Sequence, residues 1–320
     1  MIDWFKIELM NRPLKELRQK LDFIKPVNMK TGEILGTYEI AYIRIHDVPD
    51  CSISVKIFRS GRVWVQGSIH KFWDGHNHSV FTIDEALKAF VQLFEILGAH
   101  PTDAKILQIE YGVNLCTPFD PDAFINRLIC FKYKPFEGMG NYEKIGKVCY
   151  QREYDIKIYN KGKQYNLKNN ILRIEKKVKD SRNLKRLQIY TLADITPTKV
   201  AEMIEDLQSC INDVLIDDKS IDETKLTTRQ KLGLSKYRNK DFWSELSRAM
   251  KLNTKKIFGK LIAKFGNENY LNDVKNLIQN DVKKSVTSID VFDDNKNLGV
   301  LTFSNFKYGS ETSIFTTNKV

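Results

Sequence analysis

A chain of 320 residues, 42% hydrophobic and 28% charged, is long enough to bury a substantial core and has the composition of an ordinary folded protein, which excludes fibrous and disordered classes. Fifty-one Lys and Arg against 40 Asp and Glu leave a formal charge of +11 and a sequence pI near 9.2, a field suited to a polyanion such as nucleic acid or to a basic surface that serves solubility alone. Five scattered cysteines without a CxxC pair argue against a disulfide framework and a thiolate zinc site and predict reduced thiols in a cytoplasm; no stretch of about eighteen apolar residues predicts a membrane span.

Taken in chain order, Tyr38–His46, Ser52–Phe58 and Arg62–Ser68 alternate as strands do, with Ser60-Gly61 as a hairpin turn. Ser68–His78 reads as a loop carrying His70, His76 and His78. Thr82-Ile83-Asp84-Glu85 is a capping box, followed by Ala86, Phe90, Leu93, Phe94 and Leu97 at helical spacing until Gly98. Ile106–Leu115 returns to strand pattern, Pro121–Cys130 suggests a helix, and Tyr154–Tyr159 and Ile171–Val178 are two more strands. Thr196-Pro197 starts a helix over Val200–Leu215, and helical pattern continues to about Asn280. The fold class expected is α+β: a mainly antiparallel sheet with flanking helices, then a mostly helical part, divided in the polar stretch Asp217–Thr224.

That helical part holds the densest run of basic residues. Leu246–Leu252 and Ile257–Phe265 around an Asn253-Thr254 cap suggest a helix-turn-helix, or equally a solvated basic face. Val286–Phe306 has the pattern of a terminal β-hairpin, and the last dozen residues read as frayed.

Three of five histidines fall within nine residues, and imidazole is the commonest side-chain ligand for a divalent metal, although loop histidines often do no more than hydrogen-bond. Glu110 and Glu175 are acids within apolar strands, a costly placement unless they pair with cations or ligate a metal; Arg173 and Lys177 share the face of Glu175. Tyr159 lies two residues from Lys161 on one face, so a phenol has a cation that favours phenolate, the requirement for a nucleophilic tyrosine; most of the 13 tyrosines are simply core or surface. Tyr154, offset by an odd number, is the reserve candidate.

Gly75-His76-Asn77, Gln108-Ile109-Glu110, Tyr159-Asn160-Lys161 and Arg173-Ile174-Glu175, in that order over about residues 63–189, resemble the gene II/gene X replication proteins of filamentous phages. Plasmid initiators of the Rep_trans group, related to the HUH endonucleases, share the last three elements. The resemblance implies a rolling-circle initiator that nicks and rejoins one DNA strand at an origin. Tyr159 would attack phosphorus with Lys161 balancing charge, and His76, Glu110, Glu175 and His70 would hold Mg²⁺ or Mn²⁺. Residues 1–216 would form the endonuclease domain and 225–320 a basic DNA-binding or accessory domain. Lys71, Asn77, Arg173, Lys177, Lys255, Lys256 and Lys260 would contact DNA, as origin duplex or single strand. With no GxxxxGK[ST] motif, a host helicase would unwind and a host polymerase extend. A mobilisation relaxase or single-strand transposase shares this chemistry, and a non-catalytic DNA-binding regulator would share only the basic surface.

Overall fold

The structure is a computed structural model that describes residues 2–11, 14–34, 36–140, 144–267 and 270–280. Strand β1 (Ile2–Leu9) comes first, followed by helix α1 (Leu14–Lys20). A meander of β2 (Tyr38–Ile43), β3 (Ile53–Phe58) and β4 (Val63–Ser68) leads into helices α2 (Ile69–Asp74) and α3 (Ile83–Leu97). The long strand β5 (Ala104–Cys116) precedes α4 (Pro121–Asn126), β6 (Leu128–Phe131), β7 (Lys134–Pro135), β8 (Glu137–Gly138), β9 (Gly146–Tyr150) and β10 (Tyr154–Asn160). One turn, α5 (Lys161–Gln164), separates β10 from β11 (Ile171–Val178), and then come α6 (Ser181–Lys185), α7 (Pro197–Ile211) and β12 (Val214–Ile216). Helices α8 (Thr228–Arg238), α9 (Lys240–Glu245) and α10 (Arg248–Phe265) follow, and residues 270–280 are helical. Among the described residues no helix is long and apolar enough to cross a membrane.

Nine strands form one sheet in the order β2-β3-β4-β1-β5-β11-β10-β9-β8, every neighbouring pair antiparallel. The architecture is therefore a mainly antiparallel sheet with flanking helices and a helical remainder. Alternation divides the sheet into two faces. Phe5, Ile7, Ile109, Val113, Ile158 and Ile174 point into the main core with Phe90 and Phe94 of α3 and Met203 and Leu207 of α7. Trp4, Lys6, Glu110, Lys157, Glu175 and Lys177 stand on the opposite, polar face, as the residue pairing across β1, β5, β11 and β10 requires.

The central strand β1 carries a period of two in plain view, Phe5, Ile7 and Leu9 buried between half-exposed Trp4, Lys6 and Glu8, yet the charges at Asp3, Lys6 and Glu8 hide it in the sequence. Four expectations are corrected. The helix expected over Pro121–Cys130 ends at Asn126, and the helix expected to reach Leu215 ends at Ile211. The short apolar runs Leu128–Phe131 and Val214–Ile216 instead pair with each other as β6 and β12. Such runs satisfy either period, and only the distant partner decides. The expected helix-turn-helix is one unbroken helix, α10, capped by Ser247 and anchored by Phe258 and Leu261. The expected His70 loop is wound into α2. Ser68 Oγ caps it by accepting from the Lys71 amide at 3.1 Å, and Gly75 ends it at φ 75° in the left-handed region. The hairpin expected over Val286–Phe306 lies outside the described residues.

A second cluster gathers Ile129, Cys130 and Leu215 with Leu234, Trp243, Phe258 and Leu261 of the late helices. The segment that builds it is closed at its base: the Asp222 amide donates to the Phe265 carbonyl at 3.2 Å, and the Asn267 amide to Ser220 Oγ at 2.6 Å. Beyond that closure Val274 and Ile278 return to the main core.

Two glycines make room for side chains of the polar face. Gly112 lies opposite Glu175 and Gly146 opposite Tyr159. A Cβ at Gly112 would collide with the Ile174 carbonyl and lie 2.9 Å from Glu175 Cα; one at Gly146 would collide with Tyr159 Cβ. Gly146→Ala is expected to lower the unfolding free energy by about 1–3 kcal/mol in chemical denaturation. Gly259→Ala, in α10 with nothing within 4 Å, is expected to raise it by about 0.5–1 kcal/mol.

Candidate active site

Asp3 occupies a bulge in β1: the register against β5 passes from Ile2 opposite Tyr111 to Trp4 opposite Glu110, leaving Asp3 as an extra residue. Its carboxylate accepts from Ser68 Oγ, from Asn77 Nδ2 at 2.8 Å and from Arg173 Nη2 at 3.5 Å. Arg173, 1% exposed, also donates from Nε to Glu175 Oε1 at 2.9 Å and from Nη1 to Asn114 Oδ1 at 3.1 Å. The Tyr159 hydroxyl donates to the same Glu175 oxygen at 2.9 Å. Lys161 donates to Asn77 Oδ1 at 2.9 Å and to the Tyr159 hydroxyl at 3.4 Å, and Tyr165 donates to Asn77 Oδ1 at 2.6 Å. Lys157 binds Glu110 Oε2 at 2.7 Å and lies 3.7 Å from Glu175 Oε2, while Lys177 lies 3.0 Å from Glu110 Oε1. Three carboxylates thus face four cations, a net positive charge within the network.

Of this network, Asp3, Asn77, Glu110, Lys157, Tyr159 and Glu175 line a groove of about 530 Å³, with Lys71 also on its wall. Burial, then the Glu175 charge, pushes the Tyr159 phenol well above its usual range and outweighs Arg173, so the phenol is neutral at rest. This corrects the expectation that neighbouring cations favour a standing phenolate. Burial, then Arg173, draws the Lys161 ammonium down to about 8. Burial works to raise the Glu175 carboxyl, but Arg173 and Lys157 more than offset it and hold the group below the ordinary carboxylate range.

Beside this network lies a group of histidines. His70 Nε2 is 3.1 Å from Asp74 Oδ2 and 2.9 Å from Ser79 Oγ, Ser79 donates to the same Asp74 oxygen at 2.8 Å, and the His70 ring stacks on Phe81 at 4.2 Å. Ligand atoms of His70, Asp74 and His76 all lie within 4.8 Å of one another. His76 and His78 stack at 4.0 Å, and the Nδ1 atom of each is shielded from solvent without a hydrogen-bond partner. Two imidazoles, a carboxylate and an orphaned ring nitrogen suit a divalent cation.

Of the four ligands expected, the structure brings His70 and His76 together and adds Asp74. Glu110 and Glu175 instead occupy the ion-pair network with Lys157, Lys177 and Arg173. Asn77 joins the two halves, following His76 in the chain and holding Lys161 with its side chain. Tyr154 points to the core face, where Lys132 donates to its hydroxyl at 3.0 Å, away from the groove. Lys255 is engaged with the Asn212 carbonyl and the Asp213 carboxylate, whereas Lys256 and Lys260 are exposed on α10. Sequence reasoning missed Asp3, Asp74 and Lys157. An acid near the start of an alternating strand, an acid four residues after His70, and the cation two before Tyr159 were the available signals.

No protein-family model and no curated protein matches the chain. A solved structure, the rolling-circle replication initiator protein from Geobacillus stearothermophilus, is similar at 13% identity and a TM-score of 0.41, over 74% of this chain and 96% of that one. At that distance no residue role transfers, and the functional reading rests on the groups themselves.

Burial holds the His70 imidazole down to about 3, against the opposing Asp74 carboxylate. The unfolded chain therefore binds a proton below pH 6.5 that the folded chain takes up only near pH 3. The His70 contribution to stability of the metal-free protein is accordingly full above pH 6.5 and is expected to fall on acidification between these values, by up to about 1.4 kcal/mol per pH unit. Denaturation at stepped pH should show a shallower slope for His70→Gln.

Proposed function

We propose that the chain is a rolling-circle replication initiator that nicks one strand of origin DNA and rejoins it through a covalent phosphotyrosine, in the cytoplasm of a bacterial host with host helicase and polymerase. One observation carries the reading: the Tyr159 hydroxyl, bonded to Glu175 and Lys161 in an open groove, is linked through Asn77 to a His70–Asp74–His76 group. Nucleophile, proton acceptor, cation and ligand set are the parts that phosphodiester transfer needs.

Tyr159 Oη attacks phosphorus as its proton passes to Glu175 Oε1, because a phenol pushed upward by burial must lose its proton during attack rather than before it. The bond from phosphorus to the 3′ oxygen breaks, and the leaving oxygen takes a proton from Lys161, whose pKa near 8 allows exchange around neutrality. The products are a 5′-phosphotyrosine and a free 3′ hydroxyl, a primer end; rejoining reverses each step without ATP. Mn²⁺ or Mg²⁺ held by His70, Asp74 and His76 would supply Lewis-acid stabilisation of phosphoryl charge, and two imidazoles favour Mn²⁺. Lys71 on the groove wall is placed for a phosphate contact, and exposed Lys256 and Lys260 are assigned to origin duplex.

With supercoiled origin DNA and Mn²⁺, Tyr159→Phe is expected to abolish the covalent adduct and leave DNA binding nearly intact on denaturing and native gels. An adduct that survives in Tyr159→Phe removes the assignment, and no adduct in the parent chain leaves a binding protein. The parent nicking rate is expected to fall as pH rises through about 8, with that limb displaced to higher pH in Lys161→Arg. Calorimetric titration of Mn²⁺ should show binding lost in His70→Ala and His76→Ala and retained in Glu175→Gln; the reverse pattern would restore the glutamates as ligands.

A further inference from the structure

Strands β1, β4, β3 and β2, which line the groove with Trp4, Gln66, Ser54 and Tyr42, carry the polar face on past it, and the side chains there are of an unusual kind. Register places Tyr38 opposite Phe58, Lys56 opposite Trp64, and Trp64 opposite Glu8, so Tyr38, Phe58, Lys56, Trp64 and Lys6 share the face that carries Trp4, Glu110 and Glu175. The rings touch in series: Tyr38 and Phe58 at 5.6 Å, Phe58 and Trp64 at 4.5 Å. Cations stand over them, Lys56 at 4.9 Å from the Tyr38 centroid, Lys6 at 3.5 Å and Arg62 at 5.1 Å from Trp64, and Lys177 at 5.1 Å from Trp4.

Cation–π pairs alone can stabilise an exposed sheet face. Here, however, the charges are not balanced. On the outward side of β2, β3, β4 and β1, among the described residues, the carboxylates are Asp3, which Arg173 holds, and Glu8, which Arg62 takes at 2.9 Å. Among the same residues Lys6 and Lys56 have no carboxylate within ion-pair distance. Burial, then the charges of Lys56 and Arg62, pushes the Lys6 ammonium below its usual value, a crowding that an anion would relieve. Half-buried aromatics interleaved with uncompensated cations complement a chain that alternates flat bases with phosphates.

We propose that this face is a track for single-stranded DNA, with bases stacking on Tyr38, Phe58 and Trp64 and phosphates held by Lys6 and Lys56. Lys6 swings from the Trp64 ring to a phosphate as a base takes its place. From Lys56 on β3, in register with Lys105 through Trp64 and Glu8, to Tyr159 on β10, in register with Asn114 through Arg173, the track runs diagonally, five strand spacings (about 24 Å) across the sheet and nine residues (about 30 Å) along β5, and it ends in the groove that holds Tyr159. Its direction rests on the reading of Tyr159 as the cutting group. Duplex DNA, whose bases are paired and stacked inside, offers these rings nothing.

The experiment is fluorescence anisotropy of a labelled oligo-dT strand with the full chain in EDTA, so that cleavage does not enter. Trp64→Leu is expected to weaken binding about tenfold to a hundredfold, and Trp64→Phe to restore most of it. Lys6→Gln with Lys56→Gln leaves the rings in place and is expected to reduce the salt slope by about 0.7 for each phosphate no longer neutralised. Thermal melting confirms that each variant is folded. Unchanged single-strand affinity and salt slope in the folded double variant would overturn the track, even if nicking at Tyr159 is intact. Tighter binding of the matched oligo-rU strand, or of duplex, would overturn the choice of occupant. Binding that depends on Trp64 in a chain that forms no tyrosine adduct would keep the track and remove the cutting reading.

Discussion

A guanidinium almost wholly withdrawn from water must find its compensation inside the protein, and at Arg173 that requirement organises the polar face. Its partners come from three strands: Glu175 from its own, Asn114 from β5 and Asp3 from the bulge in β1. Removing one partner of a buried charge costs about 3–5 kcal/mol, because the other is left unpaired. Asp3 in turn holds Ser68 at the head of α2 and Asn77 beyond its end, so the placement of the histidine group descends from the same cation.

The charge of Arg173 also sets the protonation states around it. It holds Glu175 and Asp3 ionised against the pull of burial, and it adds to burial in drawing Lys161 down. The labile ammonium of Lys161 follows from burial and this fixed positive charge together, whereas the phenol of Tyr159 stays neutral through burial and Glu175 in spite of it.

Much of this was legible in the residues. Alternation correctly placed Arg173, Glu175 and Lys177 on one face, the capping box at Thr82 and Glu85 is present with both bonds formed, and Tyr159 and Lys161 do converge. What escaped depends on partners far away in the chain. Val214–Ile216 is a strand because Leu128–Phe131, some 80 residues earlier, supplies its hydrogen bonds, and Leu128–Phe131 is held between that strand and Lys134–Pro135. Glu110 reads as a ligand because an acid in an apolar strand needs a partner; Lys157 and Lys177 meet that need, and neither pairing can be read without the strand order. His70 reads as a loop residue because helix α2 is a bare six residues, too short for periodicity to declare itself, although Ser68 and Gly75 mark both of its ends.

The closure at Ser220 and Asn267 makes the late helices an excursion from the main body rather than a tail. An excursion whose two ends meet can be cut out and replaced without altering the path of any strand in the nine-stranded sheet. Evolution and the protein engineer are offered the same seam: helices of different surface chemistry can be exchanged there, while the residues around Arg173 keep their places.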